Sequence, residues 1–225
     1  MELKPRLIDV VVPASPVGIV LVLHGGASRR ANMMVSPAQL SVLRMVPVAR
    51  RIAQLAANGL AVFRVLNSRR GWDTHHTPVQ DAEWALDRAG ERLGAPLPTC
   101  LVGHSLGGRA ALLAAGRREV QSVVALAPWV YPTDVVLGIT GKRILIVHGS
   151  ADRVASPARS VALADALSHE ADVGYITING GKHAMLGRHA LFDQLAAQFA
   201  VWTLLGTPVS ETISRIETGE RRIRI

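Results

Sequence analysis

One cysteine, Cys100, stands in 225 residues, so no intramolecular disulfide can form and no multi-cysteine zinc or iron–sulfur site can be assembled. Aromatic residues make up only 4% of the chain, which leaves Ala, Val, Leu and Ile to build the core. Lysine is nearly missing, three residues against 22 arginines. Apolar runs are short. The longest near the amino end, Ile19 to Leu23, falls far below the roughly 20 residues that cross a bilayer. The opening Met-Glu-Leu-Lys-Pro-Arg carries no apolar stretch of the roughly 7 to 15 residues that a secretory signal uses. These absences predict a cytoplasmic protein without an integral membrane segment.

What is present points to a packed domain: 49% of residues are hydrophobic and 19% charged, a balance that disordered chains do not have. The net charge of +8 raises the question of a nucleic-acid partner. The arginines, however, are spread as singles and pairs (Arg29-Arg30, Arg50-Arg51, Arg69-Arg70, Arg117-Arg118), and no aromatic-studded basic face accompanies them. No nucleic-acid binding is expected. Arg69, Arg70 and Arg153 fall near the strand ends discussed below, where they would favour anionic substrates.

Short β-branched runs alternate with longer helical patterns, the signature of a parallel sheet flanked by helices. Strands are expected at Leu7 to Val12 (an alternating edge strand), Gly18 to Leu23, Leu60 to Val65, Thr99 to Val102, Ser122 to Ala127, Arg143 to Val147 and Val173 to Ile178. Helices are expected at Val46 to Asn58, Thr77 to Leu93 with a threonine cap before Pro78, Leu106 to Gly116, Pro157 to Ser168 and Leu191 to Leu205. This is an α/β fold with a mostly parallel, doubly wound sheet of about 7 to 8 strands. We read one domain over residues 1–206 and an Arg-rich tail over 207–225. For the tail, three options stand open: a frayed end, a strand added to the sheet edge, or an arm of a homodimer.

The chemistry is concentrated at strand ends. After Thr99 to Val102 comes Gly103-His104-Ser105-Leu106-Gly107, a G-x-S-x-G pattern at a strand-to-helix turn. Such a sharp turn strains the serine, and strand and helix approach so closely that only glycine fits two positions to either side. A serine hydroxyl is a weak nucleophile until a base takes its proton, and a histidine base needs a third group to hold its ring. The strand Arg143 to Val147 runs into His148-Gly149-Ser150-Ala151-Asp152, and Val173 to Ile178 runs into a loop carrying His183. Parallel topology crowds these loops at one sheet edge, so Ser105, Asp152 and His183 are expected to meet. His24-Gly25-Gly26-Ala27 ends another strand. Its side-chain-poor backbone can offer an amide from Gly26, with Ala27 in reserve, to pair with the amide of Leu106 as oxyanion donors.

Other candidates are weaker. His24, His104 and His148 adjoin strand ends in glycine turns and read as rings satisfying backbone groups, although His104 is also a candidate for the pocket wall. His75 and His76 lack companion ligands, so no metal is expected. His189, at the start of the last helix, reads as structural. Asp134 is the rival to Asp152 as the acid. Trp72 and Trp129 lie in strand-end loops and are candidates for the pocket wall, as is Ala27, with a core or surface packing role the equal alternative for either tryptophan. Cys100, inside a strand, reads as a buried inert thiol.

With LVLHGGAS, LVGHSLGG, ILIVHGSADRV and INGGKHAML in register, the chain resembles the α/β-hydrolase superfamily from Arg6 to about Leu205. It has a dienelactone-hydrolase-like size. The resemblance implies a cofactor-free serine hydrolase acting on an acyl bond of a small-molecule substrate. Ser105 would attack the carbonyl, His183 move the proton, Asp152 orient His183, and Gly26 and Leu106 hold the oxyanion. Larger members of the superfamily insert a cap before the strand that carries the acid. Here only about 15 residues, Pro128 to Lys142, are available, so no cap domain fits and the pocket should be open. The loop 27–45, with Met33, Met34 and Met45, is the candidate lid. A carboxylesterase for short or medium acyl groups is the leading reading. Thioesterase, lysophospholipase or peptidase activity uses the same triad, and a non-catalytic binding protein on this fold is the reading from another class.

Overall fold

The computed structural model describes residues 4–26, 35–207 and 210–225. The chain begins with strands Arg6–Val11 (β1) and Gly18–Leu23 (β2), a short helix Leu40–Leu43 (α1), helix Met45–Leu55 (α2) and strand Leu60–Leu66 (β3). Helix Thr77–Leu93 (α3), strand Thr99–His104 (β4), helix Leu106–Leu113 (α4), and strands Val120–Leu126 (β5) and Arg143–Gly149 (β6) follow. Helix Pro157–Leu167 (α5), strand Asp172–Ile178 (β7), helices His189–Leu205 (α6) and Glu211–Glu217 (α7), and strand Arg222–Arg224 (β8) complete it.

The eight strands form one sheet in the order β1-β3-β2-β4-β5-β6-β7-β8, with β1 antiparallel to β3 and every other pair parallel. Period-two alternation splits each central strand between two cores. Val20 and Val22 of β2 lie on the side of the sheet covered by α2 and α6, whereas Ile19, Leu21 and Leu23 lie on the side covered by α3, α4 and α5. Helix α6 is apolar nearly all round, with Phe192, Leu195, Phe199 and Val201 buried, because it lies deep against the sheet. The chain leaves β2 toward β3 on one side and returns to β4 on the other. That reversal opens a crevice at the carboxyl ends of β2 and β4.

Several boundaries differ from the sequence reading for local reasons. Helix α2 ends at Leu55 because Ala57 and Asn58 take positive φ (43° and 68°) to turn the chain into β3. The threonine expected to cap α3 is its first residue instead. Asp73 takes the capping role: its carboxylate accepts from Thr77 N at 2.9 Å and Thr77 Oγ1 at 2.5 Å. Of the three options for the tail, the structure takes the edge strand. Arg222–Arg224 pairs in parallel with β7, burying Ile223 and leaving Arg222 and Arg224 outward. In the loop named as a lid, Ala27, Met33 and Met34 lie outside the described residues. Met45 is only 1% exposed and packs into the core as the first residue of α2, so it is no lid residue.

Candidate active site

Strand β4 delivers Ser105 into a backbone conformation of φ 55° and ψ −117°, which non-glycine residues rarely hold. The surroundings fix it there. Ser105 N donates to Leu126 O at 2.9 Å and Trp129 N donates to Ser105 O at 3.1 Å, so the end of β5 clamps both sides of the turn. A Cβ on Gly103 would stand 2.2 Å from Gly107 O, and one on Gly107 would stand 2.5 Å from His24 O. Both positions therefore require glycine.

The loops after β6 and β7 are zipped together. Ala151 N donates to Gly181 O at 3.0 Å and Gly180 N to Ser150 Oγ at 2.9 Å, while a Cβ on Gly149 would lie 2.2 Å from Gly181 O. This contact places His183 between the other two groups: His183 Nε2 is 2.9 Å from Ser105 Oγ, and His183 Nδ1 is 2.8 Å from Asp152 Oδ2. The second carboxylate oxygen accepts from Val154 N (2.8 Å) and Ala155 N (3.0 Å). Burial alone would raise the Asp152 pKa. Hydrogen bonds from His148, His183 and Val154 outweigh it and hold the group well below the usual carboxylate range. An ionised acceptor can only receive, so His183 Nδ1 carries the proton and Nε2 is left as the base toward Ser105.

The remaining histidines divide. His24 Nε2 accepts from Asn67 N at 3.1 Å, which puts the ring proton on Nδ1, where it is donated to Gly25 O at 2.6 Å. Burial pushes its pKa down to about 4, so the ring is a neutral latch between β2 and β3. His104 lies buried behind the serine and bonds His183 O through Nε2 at 2.9 Å. Its pKa is pushed down to about 3, by burial first and the nearby His183 second. His148 departs from the reading given to it. It satisfies no backbone group: Nε2 meets Asp152 Oδ2 at 3.1 Å and Nδ1 meets Ser160 Oγ at 2.8 Å, and Ser160 in turn meets Tyr175 OH at 2.9 Å. The signal was the short step from His148 to Asp152, but the Ser160 and Tyr175 partners sit on other elements.

Glycine again shapes the neighbouring loop. A Cβ on Gly25 would come within 3.4 Å of Ser105 Cβ, and one on Gly26 within 2.2 Å of Arg70 O and 3.1 Å of Leu106 Cδ1. The Gly25-Gly26 backbone thus lies directly against the serine and the first residue of α4, whose first-turn amides have no partner inside the helix. Ala27 lies outside the described residues.

A cavity of about 620 Å³ opens beside Ser105 and His183, with Gly26, Leu40, Leu43, Pro47 and Leu186 among its walls. His104 and His189 also line it, so His189, expected as a structural residue, borders the cavity. Arg44 holds its far wall together. It pairs with the buried Asp193 at 2.9 Å and donates to Ala184 O at 3.3 Å, tying the start of α2 to the His183 loop.

Neither tryptophan lines this cavity, although Trp129 borders a smaller hollow on the Asp152 side. Arg109, buried on α4, stacks under Trp72 (4.0 Å), Tyr131 (5.0 Å) and Trp129 (5.4 Å). Its guanidinium binds Asp134 at 2.7 Å, and Tyr131 N donates to the other Asp134 oxygen at 2.9 Å. The rival acid is thereby committed to Arg109. Cys100 is buried, its thiol pushed up to about 12 by burial. Among the described residues no group of three or more His, Cys, Asp or Glu is placed to hold a metal ion, and no helix is long and apolar enough to cross a membrane.

Comparison with known proteins places the fold. The model of the alpha/beta hydrolase family matches residues 77–194. No curated protein sequence matches the chain. Est1E from Butyrivibrio proteoclasticus, solved with ferulic acid bound, is 16% identical, with 89% of this chain and 94% of that one covered and a TM-score of 0.65. A serine hydrolase from Xanthomonas campestris described as lacking a lid is 17% identical, with 91% and 90% covered and a TM-score of 0.66. A puromycin-hydrolyzing peptidase from Mycobacterium tuberculosis is 17% identical over 92% of this chain and 38% of that one, with a TM-score of 0.63. These structural likenesses are of fold.

Proposed function

The chain belongs to the alpha/beta hydrolase family, and on that premise we propose that it is a serine hydrolase cleaving carboxylic esters through an acyl-enzyme. The observation that carries the reading is the position of His183, 2.9 Å from a strained Ser105 hydroxyl and 2.8 Å from the ionised Asp152.

In this mechanism Ser105 Oγ attacks the acyl carbon while its proton passes to His183 Nε2. The resulting imidazolium donates from Nδ1 to Asp152. Negative charge collects on the former carbonyl oxygen, where the amides of Leu106 and Gly26 receive it and the α4 dipole adds its positive end. As the intermediate collapses, the bond to the leaving oxygen breaks and His183 returns the proton to it. Water then repeats the sequence: His183 takes its proton, the hydroxyl attacks the acyl carbon, and the carboxylic acid leaves as Ser105 regains its hydrogen.

The 620 Å³ apolar cavity beside Ser105 fits a short or medium acyl chain, and it supports an ester substrate over a strongly polar one. The test is labelling with a fluorophosphonate, followed by assays on p-nitrophenyl esters from acetate to palmitate. Labelling at Ser105, turnover, and loss of both in Ser105→Ala are expected. Turnover that survives Ser105→Ala would overturn the reading, and an unlabelled, inactive protein would be a binding module on this fold.

A further inference from the structure

Two kinds of surface border the reaction centre. On the Gly25-Gly26 side lies the apolar cavity, with Leu40 and Leu186 exposed at its rim. Past His183 a hollow of about 470 Å³ opens between Arg153 and Lys182; its surface is itself largely apolar, and it shares His183 and Ala184 with the apolar cavity. Arg153 and Val154 are shared in turn with a third hollow, of about 380 Å³, bounded by Trp129 and Arg159 at the amino end of α5.

The cations of this second flank are unmatched. Arg153, Arg159 and Lys182 are all exposed, and Arg159 rests 4.8 Å over the Tyr131 ring. Among the described residues none of the three has a carboxylate partner, whereas Arg92, Arg117, Arg215 and Arg222 all pair with an Asp or Glu. The two acids close by are already taken: Asp152 faces His183 and His148, and Asp134 faces Arg109. Three positive charges therefore point their field at whatever occupies the hollows, and the positive end of the α5 dipole reinforces them.

The lining and the direction of the reaction together assign the two flanks. His183 borders both hollows and must hand its proton to the leaving oxygen, so the leaving group can extend past it to the unpaired cations. The larger apolar cavity then takes the acyl chain, with the carbonyl oxygen toward Gly26 and Leu106. We propose that the substrate is an ester or thioester joining an apolar acyl chain to an alcohol or thiol that bears a phosphate or carboxylate, the anion resting on Arg153, Arg159 and Lys182. This rests on the serine-hydrolase reading and adds the substrate class to it.

Three substrates with one acyl chain and one alcohol skeleton test it: monohexanoyl glycerol, monohexanoyl glycerol phosphate and hexanoyl glycerate. At low ionic strength kcat/KM for one or both anionic esters should exceed that for the neutral ester by about tenfold, the sum expected from a few exposed charge pairs. Salt at about 0.5 M should shrink the ratio, because screening acts over less than the ~10 Å length of 0.1 M salt. The ratio should fall to near unity in the triple variant Arg153→Gln, Arg159→Gln, Lys182→Gln and persist in the charge control Arg88→Gln. A preference for the phosphate or for the glycerate ester alone identifies the anion. Equal rates on charged and neutral esters, a preference that survives the triple variant, or fluorophosphonate labelling without turnover of any of the three would each overturn the substrate class while leaving Ser105 as the nucleophile. Failure of the wild-type protein to take the fluorophosphonate label would instead remove the serine-hydrolase reading and this inference with it.

Discussion

His148 donates its Nε2–H to Asp152 Oδ2 across 3.1 Å, at the same oxygen that receives Nδ1–H of His183. Two imidazoles therefore hold one carboxylate, one facing the serine and one facing the protein interior. The interior ring is itself held by Ser160 on α5, with Tyr175 of β7 behind it. A carboxylate that must keep His183 in one orientation gains a fixed bearing from this arrangement.

This relationship is tested by replacing His148. A glutamine amide can still donate toward Asp152 and a leucine cannot. His148→Leu is expected to lower kcat about tenfold with KM little changed and to cost about 2 kcal/mol of stability, the scale of one hydrogen bond to a buried charge. His148→Gln should recover most of the rate. Equal kcat in the two variants, measured on one p-nitrophenyl ester, would assign His148 to packing alone.

The two acids give opposite expectations. Asp152→Asn should reduce kcat by about 10⁴, the loss seen when a triad acid can no longer enforce the base tautomer. Asp134→Asn leaves Arg109 short of its partner beneath Trp72 and Tyr131 and should act on stability, with a thermal-unfolding loss of about 2 to 4 °C per kcal/mol and a rate within a few-fold of wild type. A large rate loss in Asp134→Asn with an active Asp152→Asn would exchange their roles.

Gly26 is constrained by the 2.2 Å separation that a Cβ would have from Arg70 O. Gly26→Ala must displace the loop and with it the second oxyanion donor. The expected result is a fall in kcat of about 10² to 10³, with some loss of stability as the loop is pushed off Arg70 O and the buried Leu106. Near-normal kcat would place the donor elsewhere in the loop.

Stability should fall as pH drops from 7 to about 4.5. In the unfolded chain His24 and His104 take up protons near pH 6.5, but burial delays this to about 4 and about 3 in the folded protein. Each ring therefore stabilises the fold fully above pH 6.5 and loses that contribution as pH falls toward its folded value. Asp81 runs the other way: burial pushes its pKa from 3.8 to about 6, so protonation favours the folded state as pH falls through 6. At ~1.4 kcal/mol per pKa unit the net loss near pH 4.5 is on the order of 3 kcal/mol. Asp81→Asn should make the decline in melting temperature steeper. A flat profile between pH 7 and 4.5 would contradict the neutral, buried state of both rings.

The sequence alone determined what local backbone sterics control. Gly103 and Gly107 around Ser105, the alternation and apolar runs of β2 through β7, and the order of acid and histidine along the chain are all consequences of which residues tolerate a sharp turn or a doubly buried strand. Parallel topology then sends the loops holding Ser105, Asp152 and His183 to one edge without reference to any side-chain contact. Tertiary structure decided everything that depends on partners distant in the chain. It turned His148 toward Asp152 and Ser160, drew Asp134, Trp72 and Trp129 onto Arg109, and buried Met45 beneath the sheet. It also spent the Arg-rich tail on an edge strand, because β7 offered an open row of backbone donors and acceptors and Ile223 a side chain to bury. A residue's own neighbours set the conformations it can adopt; which polar group it meets is set by the packing of whole elements, and that is fixed only when the helices dock on the assembled sheet.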